Sequence, residues 1–372
     1  MKNKIGIVIT AAGLSVRMKE FKPLLQLGNK KIIEHVVDCA LNSSLDEIVV
    51  VVGKEAHKIE EVLGDRKIKI VHNTEYATSD MLASVKIGIN ALSKDIDSFF
   101  VTPGDMPLIV PACYQCLKRR QESNPSVMVT QLKYQGSGGH PILIRQACRE
   151  HILHYHGPNG LKGALRNYET QTKYLEWPNL NILIDMDTPT DYARIKKIYE
   201  EKDIPRKTAI YSILQLQKTP QEVINHSIVV EKVALRLGAD AISKGYLVNL
   251  NLISAAALLH DVERTKKHHD LEGAKLLERL GYTQVARIIQ EHMFLSEDAM
   301  KHIDERAIVY LADKLVDGEA FTNIHKRFEK QLHRHKADTI IYEKIMENKK
   351  KAMKLAEIFD TSWCEGEKDE FK

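Results

Sequence analysis

An ordered set of histidines and aspartates runs through the second half of the chain: His226, the pair His260-Asp261, and Asp313. His260 and Asp261 follow the apolar run Leu252–Leu259, one helical turn beyond Ala256 and Ala257, a spacing that points both side chains inward. His226 lies between Val223 and Val230 at helical spacing, again on the apolar face. Asp313 sits inside the apolar run Ala307–Val316, where a carboxylate is costly unless paired or metal-bound. Two imidazoles and two carboxylates on inward helix faces make a mixed nitrogen and oxygen donor set, suited to a divalent transition metal: Fe, Mn, Co, Ni or Zn.

A second constellation stands near the start. Ala11-Ala12-Gly13-Leu14-Ser15-Val16-Arg17-Met18 follows an apolar run, and Lys22-Pro23-Leu24 comes soon after. A glycine loop between a strand and a helix lets backbone N–H groups approach phosphate oxygens with no Cβ in the way. Ser15 adds a hydroxyl donor, and Arg17 and Lys22 add positive charge where a triphosphate would lie. The glycine loop alone also fits a structural turn; with both cations at these offsets it is more specific. No Gly-Lys-Ser/Thr ends the loop and no G-x-G-x-x-G is present, which excludes a Walker loop and a dinucleotide fingerprint.

These groups need elements to hold them. Ile5–Thr10, Glu47–Val52, Ile68–Val71, Phe99–Thr102, Val127–Thr130 and Ile182–Asp185 read as short apolar strands. Helical periodicity separates them, in Ile32–Leu41 and again around Ala83–Leu92. This alternation indicates βαβ units: an α/β domain with a Rossmann-like, mainly parallel sheet, in which ligands bind beyond the carboxyl ends of the strands. Ala11–Met18 and Gly104-Asp105-Met106-Pro107 both fall there. The alternation stops near residue 200, at a polar stretch containing Pro205, and an all-α domain follows. Its first helix is predicted to start at Thr219-Pro220-Gln221-Glu222, with Thr219 as N-cap in a capping box. Gly238 and Gly281 read as helix ends. The expected organisation is 1–203 for the first domain, 204–218 for a linker, 219–358 for the second domain and 359–372 for a charged tail.

A chain of 372 residues suits two cores. A net charge of +4 is too small to argue for nucleic acid, and no apolar run approaches the roughly 18 residues of a membrane span. The basic N-terminus runs straight into a strand pattern rather than a signal peptide, so the expected location is the cytoplasm. Five scattered cysteines argue against a disulfide framework. Cys113 and Cys116 form a lone C-x-x-C in the first turns of a helix after Pro111, and read as small apolar residues on its face.

The N-terminal motif A-A-G-x-S-x-R-M followed by K-x-L resembles the nucleotidyltransferases, above all the molybdenum cofactor cytidylyltransferases, over roughly residues 4–200. The resemblance extends to Gly104-Asp105-Met106-Pro107, Gly139-His140-Pro141, the segment Asp185–Pro189, and Met81 with Ser84. It implies an NTP, CTP first, bound by Ala11, Ala12, Gly13, Ser15, Arg17, Lys22, Ser84 and Asp105. It implies Mg²⁺ held by Asp105 and Asp187, a phosphorylated acceptor such as molybdopterin against Gly139 and His140, and catalytic roles for Arg17, Lys22 and Asp105. Taken alone, Asp105 also fits a turn, and Asp187 a helix N-cap or first turn. Lys19 and Asp80 stand where the family has glycine, which leaves room for another acceptor, such as a phosphosugar.

The second set resembles the HD-domain metal-dependent phosphohydrolases over roughly residues 220–320. His226, His260, Asp261 and Asp313 match the H…HD…D pattern, and His269 and His292 match later histidines of a two-metal variant. The resemblance implies metal binding by all six, catalysis at Asp261, and a substrate phosphate at Lys266. A regulatory nucleotide sensor is the alternative for this domain. The implied partners are a nucleotide, a small phosphorylated molecule and a molybdoenzyme or its maturation factors, with neither membrane nor nucleic acid.

Overall fold

The computed structural model describes residues 3–359, apart from Lys19 and Ala337, together with Thr361. Lys19 and Cys364 therefore lie outside the described residues, as does the tail from 362 onward. The chain divides into two compact units between Glu201 and Lys202.

The first unit is built on a seven-stranded sheet: β1 (Ile5–Ala11), β2 (Glu47–Val52), β3 (Lys69–His72), β4 (Ser98–Pro103), β5 (Val129–Tyr134), β6 (Ser137–Arg145) and β7 (Thr172–Glu176). Their order is β3-β2-β1-β4-β6-β5-β7. β3, β2, β1 and β4 run parallel; β6 is antiparallel to β4 and β5, and β7 is again parallel to β5. β1 and β2 are apolar along their length because both faces of this part of the sheet are buried. Helix Met81–Ala91 packs directly on β1, and the approach requires Gly88, since a Cβ there would meet Val8 Cγ1 at 2.2 Å. In β1 and β4, Thr10 is paired with Pro103 and the Gly104 N–H donates to the Thr10 carbonyl at 2.8 Å. The loops that follow these two strands therefore leave the sheet side by side.

Ile182–Asp185 is not a strand. Asn179 caps a short 3₁₀ turn, Leu180–Ile182, and the apolar residues that follow pack with Leu27, Leu108 and Ile195 instead of joining the sheet. The strands β6 and β7 went unread. β6 opens with Ser-Gly-Gly and contains Pro141, both turn-like features, and β7 is largely exposed, so its residues carry little apolar signal.

The second unit is helical. Gln221–Ser243, Leu250–Leu259, His269–Arg279, Thr283–Gln290 and Glu305–Lys314 surround one core, joined by the later helices Ile324–Arg334 and Thr339–Ile358. Residues 204–218 are not a linker: they hold the helix Lys207–Leu216, whose Ile210, Ile213 and Leu214 enter this core. The expected capping box is also absent. Pro220 takes the N-cap position, and the Thr219 hydroxyl donates instead to the Val262 carbonyl at 3.0 Å. Gly238 does not end a helix but lies within Gln221–Ser243, where a Cβ would meet Leu250 Cδ2 at 2.8 Å. Phe359, assigned to the tail, is buried in the core. No helix among the described residues is long and apolar enough to cross a membrane.

Candidate functional sites

The loop after β1 forms one wall of a cavity of about 230 Å³ lined by Ala11, Ala12, Gly13, Ser15, Lys22, Ser84 and Asp105. Nothing lies within 4 Å of where a Gly13 Cβ would sit, so the loop backbone faces open space there. Ser15 is held in the left-handed region at φ 56°, and its Oγ accepts the Lys22 N–H at 3.1 Å, leaving its own O–H to donate. Ser84 is buried and accepts from Asn73 Nδ2 at 3.0 Å, which ties helix Met81–Ala91 to the end of β3.

Lys22 Nζ donates to Asp187 Oδ1 at 2.7 Å and to Asp105 Oδ2 at 3.2 Å. Arg17 Nη2 lies 2.7 Å from Asp187 Oδ2, with a side chain 69% exposed. One ammonium thus gathers two carboxylates that are distant in sequence. Burial raises the Asp105 carboxyl above the usual range, against the pull of Lys22. Two oxygen ligands converging beside an open glycine loop fit a hard divalent cation such as Mg²⁺.

Asp80 lines the same cavity. Its Oδ1 accepts the Ala83 N–H at 3.0 Å, making it the N-cap of helix Met81–Ala91. His140 lines a second cavity of about 650 Å³, and burial pushes its imidazole down to about 4, so it is neutral near pH 7. Gly139 does not face that cavity. It packs beneath Ile182, whose carbonyl would lie 2.3 Å from an added Cβ. These two glycines give a paired prediction. Gly139→Ala lowers the unfolding free energy by about 1–3 kcal/mol in a denaturant titration. Gly13→Ala leaves stability within about 0.5 kcal/mol of wild type; its nucleotide affinity, read by calorimetry, falls instead.

In the second unit, His226, His260 and Asp261 place ligand atoms within 4.8 Å of one another, and so do Asp261, His269 and His292. Asp261 belongs to both groups. Its Oδ2 is 3.5 Å from His260 Nε2, and its Oδ1 is 3.1 Å from His269 Nε2 and 3.4 Å from His292 Nε2. Asp313 Oδ1 lies 3.2 Å from His226 Nε2 and 3.7 Å from His260 Nε2. All six predicted ligands therefore converge.

The backbone orients three of the imidazoles. His226 Nδ1 donates to Gly318 O at 2.7 Å, His260 Nδ1 to Ala257 O at 2.8 Å, and His292 Nδ1 to Ile289 O at 2.6 Å. A carbonyl only accepts, so Nδ1 carries the hydrogen and each Nε2 is presented to the centre. His260 Nε2, His292 Nε2 and Asp261 Oδ1 are buried with no hydrogen-bond partner. Unpartnered buried acceptors at the centre of a ligand cluster fit metal ions. Burial opposes charge on Asp261, but His260, His269 and His292 together hold its carboxyl far below the usual range. Burial likewise pushes His260 down to about 4, the neutral form that ligates a metal.

Three cations surround this cluster. Lys314, 6% exposed at its side chain, donates to Asp313 Oδ2 at 2.7 Å and to the His292 carbonyl at 2.9 Å. The Arg327 side chain is 16% exposed, with Nη1 2.8 Å from Asp317 and Nη2 3.7 Å from Asp313. Arg264 Nη1 lies 3.1 Å from His269 Nε2 and 3.6 Å from Asp261 Oδ1. Lys266, the expected phosphate contact, has a half-exposed side chain whose Nζ lies 2.9 Å from Glu263. Cys113 and Cys116 are free thiols on helix Pro111–Glu122, and burial raises both.

Comparison with known families decides between the many proteins that could hold such sites. Residues 7–172 match the family described as MobA-like NTP transferase domain, and residues 223–317 match the HD domain. The chain carries a MobA-like NTP transferase domain and an HD domain. The NTP transferase domain is similar to the molybdenum cofactor cytidylyltransferase of Escherichia coli (strain K12), with 28% identity over 198 residues, 53% of this chain and 98% of that protein. It is also similar to the bifunctional protein GlmU of Staphylococcus saprophyticus, with 33% identity over 119 residues, 32% of this chain and 26% of that protein. The match therefore spans about a quarter of that GlmU. Among solved structures, a nucleotidyl transferase from Methanothermobacter thermautotroptrophicus aligns at 23% identity and a TM-score of 0.48, covering 54% of this chain and all of that one.

Proposed function

We propose that this chain is a bifunctional cytoplasmic enzyme. Its NTP transferase domain moves a cytidylyl group from CTP to the phosphate of molybdopterin, releasing pyrophosphate. Its HD domain hydrolyses a phosphoester or phosphoanhydride at a two-metal centre. The observation that carries the first part is the meeting of Asp105 and Asp187 on Lys22 beside the open Gly13 loop. The similarity to the Escherichia coli cytidylyltransferase supports the choice of nucleotide and acceptor.

In the transfer, an oxygen of the acceptor phosphate attacks the α-phosphorus of the nucleotide. The new P–O bond forms as the bond from the α-phosphorus to the bridging oxygen breaks, and pyrophosphate carries away that electron pair. Such a reaction asks for positioning and charge neutralisation rather than a protein nucleophile. The Gly13 loop and the Ser15 hydroxyl would cradle the phosphates, and Lys22 and Arg17 would face the charge that develops on them. Mg²⁺ held by Asp105 and Asp187 would supply further neutralisation.

In the HD domain the carrying observation is Asp261, placed between two groups of imidazoles whose Nε2 atoms face inward. His226, His260, Asp261 and Asp313 would hold one divalent ion, with His269, His292 and the other Asp261 oxygen holding a second. Such a pair would polarise a phosphoryl oxygen and draw a water toward the phosphorus. Arg264, 48% exposed at its side chain beside His269, is placed to meet a substrate phosphate, where the sequence suggested Lys266.

The transferase reading is tested by pyrophosphate release from each of the four NTPs with Mg²⁺ and molybdopterin. CTP is expected to react fastest; no release with any of the four contradicts the assignment.

A further inference from the structure

The larger cavity of the NTP transferase unit, about 650 Å³, shares Asp80 and Met81 with the nucleotide cavity and then extends away from it. Its wall is partly apolar. Leu82, Val85, Val129 and Leu161 contribute apolar surface, and two of the large apolar side chains that stay exposed, Met81 at 49% and Tyr174 at 36%, also open onto it. Large apolar surface is left in water at a cost unless a ligand covers it.

Three cations stand on the same walls: Lys133, Lys162 and Arg166. Lys133 Nζ lies 3.6 Å over the Tyr174 ring. Lys162 and Arg166 have no carboxylate within ion-pair distance among the described residues. Two acids stand on the same wall and keep their charge, so the cations outnumber them three to two. Asp80 caps helix Met81–Ala91, and Glu169 accepts the Tyr174 hydroxyl at 3.0 Å. Two cations without an ion-pair partner, on a wall that also carries apolar side chains and Tyr174, match a ligand with a planar or apolar body that ends in an anion.

We infer that the acceptor, beside the phosphate that attacks the nucleotide, carries a second anionic group on a planar or apolar body, and that Lys162 and Arg166 bind that second anion. This rests on the transferase reading for the word acceptor, while the ligand chemistry rests on the cavity alone. Lys162 and Arg166 line the large cavity but not the nucleotide cavity, so they act on acceptor choice and not on NTP binding.

The test uses the full chain and a probe of the inferred chemistry, 8-anilinonaphthalene-1-sulfonate, in a fluorescence titration. Wild type is expected to bind it, and Lys162→Gln with Arg166→Gln to raise the Kd at least tenfold. The Kd for CTP with Mg²⁺ should stay within twofold, and the circular dichroism should match wild type. The uncharged analogue N-phenyl-1-naphthylamine should bind both proteins alike. An unchanged sulfonate Kd in the double variant, or an equal loss for the uncharged analogue, would overturn the inference. Failure of the transferase reading would appear separately, as absent pyrophosphate release with the charge-dependent titration intact.

Discussion

Asp261→Asn is expected to empty both metal positions of the HD domain and to lower its phosphohydrolase turnover by about 10³-fold or more. The size of the effect follows from one carboxylate serving both ligand groups. Oδ2 faces His260 at 3.5 Å, and Oδ1 faces His269 at 3.1 Å and His292 at 3.4 Å. An amide keeps the shape but removes the negative charge, and turns one of the two donor oxygens into an N–H₂ that repels a cation. The metal-to-protein ratio after dialysis against Mn²⁺ provides the check, read by inductively coupled plasma mass spectrometry. Wild type is expected to hold two ions, Asp261→Asn none, and His269→Ala one, because His269 belongs to a single group. Retention of two ions by Asp261→Asn would exclude a shared carboxylate. Chelation of wild type should reproduce the loss of turnover, and added divalent metal should restore it.

Lys22→Met is expected to lower kcat/KM for CTP by about 10²–10³-fold, the range found when one preorganised charge facing a transition state is removed. It should leave phosphohydrolase turnover at the wild-type value. The same substitution removes the cation between Asp105 and Asp187, leaving Asp105 without an ion partner and Asp187 with Arg17 alone. The Mg²⁺-free protein should therefore lose about 1–3 kcal/mol of stability in the unit that carries Lys22. Steady-state kinetics with CTP and a denaturant titration of that unit read the two effects. An unchanged kcat/KM would remove Lys22 from the transferase chemistry.

The sequence made the sites more legible than their surroundings. His226, His260-Asp261 and Asp313 are spread over nearly ninety residues, yet a buried histidine or aspartate on an apolar helix face carries its own signal, because burial without a partner is costly. The central parallel strands β1 and β2 were readable for a similar reason: buried on both faces, they are rich in apolar residues. The antiparallel β6 and the exposed β7 carry no such signal, and Ile182–Asp185 is apolar for packing rather than for pairing. Thr219 shows the limit of local chemistry, since a Thr-Pro-x-Glu pattern invites a capping box while the Val262 carbonyl offers its hydroxyl a tertiary partner. Gly238 likewise serves helix packing rather than helix termination. Arg264, in a turn, and Lys314 and Arg327, on helices, carry no such signal, since charged residues at such positions read as solvated; only the fold brings them beside Asp261 and Asp313.

The central claim is that two independent catalytic sites share this chain. One preparation each of wild type, Asp105→Asn and Asp261→Asn decides it, assayed for pyrophosphate release from CTP with molybdopterin and for hydrolysis of bis(p-nitrophenyl) phosphate with Mn²⁺. Wild type should perform both reactions, Asp105→Asn should lose only the first, and Asp261→Asn only the second. Absence of either reaction in wild type, or loss of both through one substitution, would contradict the account.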